Sequence, residues 1–246
     1  MRPSSTSLAL HRVIACIASA ALPQPVAAGA TGEIELFNGK DFSGWTFFLE
    51  EIGYNADGRA TISDFATITP ERTIRIDPAM HGALMTKRDY LNYDLHLEYR
   101  WTKPHPRDDS GIFLRIRPPF VWDMLHGEQA RFYMVQLQPP NTGDLWVLGY
   151  SESMLRTSPE RSFKPFGNLE LAPGGHIRRH LKIQQAEKPA GEWNTVDVHL
   201  KDKTVRIQVN GVVVNEATML VDLPGRIGLE SERGTIEYRN IRLRPL

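Results

Sequence analysis

Three short alternating segments carry side chains able to do acid–base and hydrogen-bonding chemistry. Tyr93 to Arg100 places His96, Glu98 and Arg100 on one side and Leu95, Leu97 and Tyr99 on the other. Gly111 to Arg117 sets Phe113, Arg115 and Arg117 against Ile112, Leu114 and Ile116. Phe132 to Gln138 sets Met134, Gln136 and Gln138 against Tyr133, Val135 and Leu137. As neighbouring strands these would gather a carboxylate, an imidazole, guanidiniums and amides on one face. Glu98 would handle a proton, with His96 beside it, and Arg115 would hold or polarise a substrate oxygen. Arg100, Gln136 and Gln138 are planar multi-donor groups suited to sugar hydroxyls and carbonyls, and Phe113 offers a stacking surface. The same pattern also describes the solvated side of an ordinary antiparallel sheet.

The elements that must position these residues are strands. Helical periodicity is nearly absent after residue 30, and alternation is frequent. Thr195–Leu200, Thr204–Val209 and Val212–Asn215 read as a meander with turns at Asp202-Lys203 and Asn210-Gly211. Arg226–Glu230 and Thr235–Leu243 follow, and a change of parity between Tyr238 and Ile241 predicts a bulge at Arg239-Asn240. Many short strands with Gly, Pro and Asn punctuation predict an all-β sandwich of two antiparallel sheets. Trp45 and Trp193, each following a Gly-containing turn, are expected in the core.

Three stretches read as loops: Lys103 to Ser110, Pro118 to Arg131, and Ser151 to Ala190. In the first, Asp108 and Asp109 with His105 would make an oxygen-rich site for a divalent cation, or simply a turn capped by aspartates. In the last, His176, Arg178, Arg179 and His180 form a basic cluster that would bind an anionic group or, more simply, line a solvated loop. Gly-x-Ser-x-Gly, His-Glu-x-x-His, phosphate-loop and dinucleotide signatures are absent.

Whole-chain properties narrow the setting. Arg2 and Arg12, an apolar run from Val13 to Leu22 and Val26-Ala27-Ala28 read as a signal peptide over residues 1–28, leaving one domain over residues 29–246. The expected location is therefore periplasmic or extracellular. The apolar run is too short to span a bilayer, and no later run is longer, so no membrane partner is expected. Cys16 is the only cysteine, so the processed chain would have no disulfide and no zinc-thiolate site. Removal of the signal leaves 27 basic against 29 acidic residues, which argues against a nucleic-acid partner.

Taken in order, the motifs resemble one family. They are Phe37-Asn38-Gly39-Lys40-Asp41-Phe42-Ser43-Gly44-Trp45, then Asp94-Leu95-His96-Leu97-Glu98-Tyr99-Arg100, Asp109-Ser110-Gly111-Ile112-Phe113-Leu114-Arg115, and Lys188-Pro189-Ala190-Gly191-Glu192-Trp193-Asn194. Gly225-Arg226-Ile227-Gly228-Leu229-Glu230 and Tyr238-Arg239-Asn240-Ile241-Arg242-Leu243 close the series. The corresponding patterns "LFNGKDLSGW", "DFEL-x-x-E-x-R", "NSGIFLR", "KPAGEWN", "GxIGLQ" and "FRNIRI" are those of the 3-keto-disaccharide hydrolases, or 3-keto-glucoside lyase/hydratases. The resemblance spans residues 34–244. It implies a concanavalin-like jelly roll with a small-molecule or oligosaccharide substrate on its concave sheet. It also implies cleavage of 3-keto-glycosides by elimination and hydration or by hydrolysis. A non-catalytic carbohydrate-binding module on the same face is the alternative. Where the family pattern has Glu in "YEVQI", this chain has Met134, which cannot move a proton. Glu98, His96 and Asp109 are the nearest substitutes by strand pattern, and Asp109 joins the expected substrate contacts.

Overall fold

The alternation becomes two antiparallel sheets, seen in a computed structural model of the chain. It describes residues 32–50, 53–54, 58–77, 80–103, 105–123, 128–149, 156–157, 163–164, 177–218 and 220–246. Residues 1–31, which include the segment read as a signal peptide, His176 and most of residues 151–176 lie outside the described residues.

The first sheet runs in the order β11 (Arg156–Thr157), β16 (Val212–Thr218), β15 (Thr204–Val209), β14 (Asn194–Lys201), β7 (Tyr93–Trp101), β18 (Ile236–Pro245), β5 (Ile74–Ile76) and β4 (Ala66–Ile68). β1 (Ile34–Glu35) pairs with the far end of β18. The second sheet runs β12 (Phe163–Lys164), β13 (Ile177–His180), β10 (Leu145–Leu148), β9 (Glu128–Gln136), β8 (Gly111–Asp123), β17 (Arg226–Ser231), β6 (Gly82–Thr86), β2 (Trp45–Leu49) and β3 (Gly53–Tyr54). A 3-10 turn spans Ile62–Asp64.

One apolar core joins the sheets. Leu95, Leu97, Val196, Val198, Val205 and Ile207 from the first meet Ile112, Leu114, Val135 and Leu137 from the second, as the alternation predicts. Trp45 is buried there and donates its indole N–H to the Leu36 carbonyl at 2.7 Å. Asn210 and Gly211 both take positive φ (52° and 76°), the geometry an Asn-Gly hairpin turn demands. The expected bulge in β18 is present: the register shifts between Arg239 and Arg242, and Asn240 has φ 51°.

Four expectations are corrected. Residues 118–131 are largely strand, because β8 runs to Asp123 and β9 begins at Glu128. Pro118 and Pro119 fall inside a register break between Arg117 and Trp122, where missing N–H donors cost no ladder bond. A second break lies between Leu114 and Arg117, with Arg115 at φ 52°. It moves Ile116 out of the core face and into the outer cluster with Phe113. Trp193 is only partly buried and lies between two guanidiniums, Arg100 at 4.7 Å and Arg239 at 3.9 Å. The 177–180 part of the basic cluster is a strand, β13, rather than a solvated loop.

Candidate active site

The three polar segments do not share a face. β7 lies in the first sheet, while β8 and β9 lie in the second, and the core separates them. His96, Glu98 and Arg100 project from the outer side of the first sheet into an ion-pair ladder. Glu98 binds the Arg239 guanidinium at 2.6 Å and accepts a hydrogen bond from Asn240. Burial pushes its carboxyl up, but these two donors outweigh that and hold it below the ordinary glutamate range. His96 pairs with Asp197 at 2.7 Å, and Arg100 with Glu237 at 2.7 Å. The expected convergence of Glu98, Arg115 and Gln136 therefore fails. Alternation shows which residues share a side of one strand but not which sheet the strand joins.

Arg115 leaves the polar face altogether. At its bulge the side chain turns into the protein and is completely buried. Nη1 donates to the Val221 carbonyl at 2.7 Å. Nη2 donates to the carbonyls of Leu91 and Asp202, both at 2.9 Å. The guanidinium ties three chain segments together at the end of the sandwich.

The outer face of the second sheet gathers the remaining candidates with residues not singled out from the sequence. One row across it reads Arg179, Trp146, Met134, Phe113, Gly228 and Met85. The Phe113 and Phe132 rings stack with centroids 4.1 Å apart. The Arg179 guanidinium sits 5.3 Å from the Trp146 ring centroid, held there by Asp144, which accepts from Nε at 2.7 Å. The neighbouring row starts with Gln136 opposite Gly111, and Glu230 comes beside that glycine. A Cβ on Gly111 would stand 2.6 Å from Met134 Sδ and 3.0 Å from Glu230 Oε2, so glycine is what lets both side chains close over this point.

Asp109 reaches the same place through the backbone. Its N–H and C=O bond those of Arg233, both at 3.0 Å, which docks the turn before β8 onto the turn after β17. Ligand-capable oxygens of Asp109, Glu230 and Glu232 then lie within 4.8 Å of one another. Gln136 Nε2 and Gln138 Nε2 each donate to Asp109, the latter at 2.5 Å. Burial, with the Glu232 charge beside it, raises the Asp109 carboxyl to about 7. Glu230 is pushed well up by burial and by the Glu232 and Asp109 charges, and its Oε2 is buried with no hydrogen-bond partner. Burial also acts to raise Glu232, but hydrogen bonds from His81 and Arg233 outweigh it and hold that carboxyl down. The second possible cation set is a turn instead: Asp108 Oδ2 accepts the His105 N–H at 2.9 Å, closing the loop, while Asp109 faces the other way into the cluster.

The outer face of the second sheet thus brings together Asp109, Phe113, Gln136 and Gln138, and it excludes Glu98, His96, Arg100 and Arg115. Glu230, Glu232 and Trp146 are additions, and Arg179 joins them from the basic cluster. One signal for the cluster was present in the motifs: Asp109 stands where the family pattern has Asn and Glu230 where it has Gln, so two amides are replaced by carboxylates while Met134 replaces one carboxylate.

The architecture is shared widely. A proposed glycosyl hydrolase from Parabacteroides distasonis superposes with a TM-score of 0.58 at 16% identity, covering 88% of this chain and 95% of that one. A β-glucanase from Bacillus licheniformis gives 0.53 at 12% identity over 89% of this chain and 100% of its own. The carbohydrate-binding module CBM66 from Bacillus subtilis gives 0.50 at 10% identity, covering 81% of this chain and 94% of its own. At these identities the likeness establishes the jelly-roll fold alone. No curated protein matches the sequence. The family model for the 3-keto-alpha-glucoside-1,2-lyase-like domain matches residues 32–244, nearly all of the chain after the signal-like segment, and the chain belongs to that family.

Proposed function

We propose that this protein is a carbohydrate-active enzyme that cleaves 3-keto-glycosides on the outer face of its second sheet. The observation that carries the reading is the joint placement there of three carboxylates and two amide donors on the sheet face that also carries Trp146. A ketone at C3 acidifies the hydrogen on C2. A carboxylate removes that proton, negative charge develops on the ketone oxygen, and the C1–O bond breaks to release the alcohol. Water then adds across the C1–C2 double bond, so the net change is hydrolysis. This route needs a proton acceptor and donors to the enolate oxygen. It does not need the paired acid and nucleophile of ordinary glycosidases. The acceptor comes from the Asp109–Glu230–Glu232 cluster, and the amides of Gln136 and Gln138 are the donors beside it. Trp146, with Arg179 over the indole, is the ring against which the sugar packs, and the buried Phe113 lies in the apolar cluster beneath it.

The test is incubation of the purified protein with 3-ketotrehalose and 3-keto-glucosides, with product analysis. Turnover is expected, and Asp109→Asn, which keeps the shape but removes one charge of the cluster, should lower kcat by at least about 10²-fold. Sugar binding without turnover by the wild type would overturn the reading and favour a binding module, the alternative that Met134 supports.

A further inference from the structure

From the buried carboxylate cluster we infer that Asp109, Glu230 and Glu232 form a binding site for a hard divalent cation of the Ca²⁺ class, in a form particular to this chain. Two independent observations carry it. First, all three side chains present an oxygen within 4.8 Å of the others. Oxygens on opposite sides of a Ca²⁺ ion, at 2.3–2.6 Å each, are about 5 Å apart, so one ion bridges the set without rearrangement. Second, Glu230 is 4% exposed, and its Oε2 is buried and unpartnered although it points at the other two carboxylates. A carboxylate withdrawn from water must be neutralised, paired or bound to a metal. The cations beside the cluster engage Glu232, Arg233 at 2.7 Å and His81 at 3.4 Å.

The chemistry of the donors sets the ion. Three carboxylates and no Cys or His ligand select an oxygen-loving cation over zinc or copper. Gln136 and Gln138, which both donate to Asp109, fix that carboxylate's orientation. The exchange of two pattern amides for Asp109 and Glu230 raises the negative charge at this point, and Met134 closes it on the apolar side. The inference concerns binding, so it stands or falls separately from turnover.

The experiment uses the full-length processed protein, stripped with EDTA and desalted. Calorimetric titration and thermal unfolding are followed with Ca²⁺, Mg²⁺ and Mn²⁺, without sugar. Ca²⁺ should bind one per chain and raise the unfolding temperature with increasing concentration, as for any ligand of the native state. Glu230→Gln should weaken binding by roughly 10–100-fold or more and abolish the shift. The same variant should unfold, without cation, at or above the wild-type temperature, because a neutral amide of the same shape is no harder to bury there than a carboxyl with no hydrogen-bond partner. Glu216→Gln, at a surface pair with Arg206, serves as the control and should bind like wild type. No cation-dependent shift at millimolar concentration in the wild type would overturn the inference. So would an undiminished shift in Glu230→Gln.

Discussion

Replacing Arg115 by Met tests whether that side chain is a fold clamp or a substrate-binding group. The guanidinium is completely buried and donates to three carbonyls: Val221 at 2.7 Å, Leu91 at 2.9 Å and Asp202 at 2.9 Å. Met fills a similar volume but leaves those oxygens unpaired. Each unsatisfied buried acceptor costs about 1–3 kcal/mol; Leu91 and Val221 are half-buried and Asp202 is exposed, so water relieves part of this and about 4 kcal/mol is expected. For a domain of this size 1 kcal/mol shifts the unfolding temperature by roughly 2–4 °C, so the fall should be roughly 8–16 °C. Arg115→Lys should recover only part, since an ammonium cannot span three carbonyls arranged around a planar fork. Calorimetric or circular-dichroism melts read the shift, and turnover of a 3-keto-glucoside well below the melt reads function. An Arg115→Met protein that melts within about 2 °C of wild type yet loses turnover would refute the clamp and return Arg115 to the substrate.

Glu98→Gln should leave turnover unchanged and cost about 1 kcal/mol or less at neutral pH, because its charge serves Arg239 and Asn240 on its own sheet, away from the candidate site. Its folded carboxyl is held low, so the stabilisation is present above the ordinary glutamate value and is lost as pH falls through the depressed one. Wild-type and variant melts should therefore converge in acid, and a large loss of kcat would contradict the placement. Gly111→Ala should cost about 1–3 kcal/mol, since the added carbon meets the movable ends of Met134 and Glu230 rather than backbone. It should lower turnover far more than that stability loss implies, as read from kcat/KM beside a urea titration. Wild-type turnover there would remove the Glu230 position from the site.

Local order determined much of this protein. Alternation at Tyr93–Arg100 and Phe132–Gln138 set which side chains enter the core, because successive residues of a strand must face opposite ways. The Asn210-Gly211 turn and the bulge at Asn240 were legible because few residues adopt positive φ easily. The motif series identified the family, and the family model covers the same stretch. Asp109, Phe113, Gln136 and Gln138 were named from sequence and do share a face. What pairing and register decided was less local. Residue spacing does not state which sheet a strand joins, so Glu98 and Gln136, alike in parity, ended on opposite outer surfaces. A single bulge reversed Arg115, since one extra residue in a period of two exchanges inside for outside. The acidic cluster needed contacts between distant parts of the chain, with Arg233 docked on Asp109 and the bare Cα of Gly111 beside Glu230. Only the folded chain makes those contacts, because they join residues about 120 positions apart that share no periodic pattern.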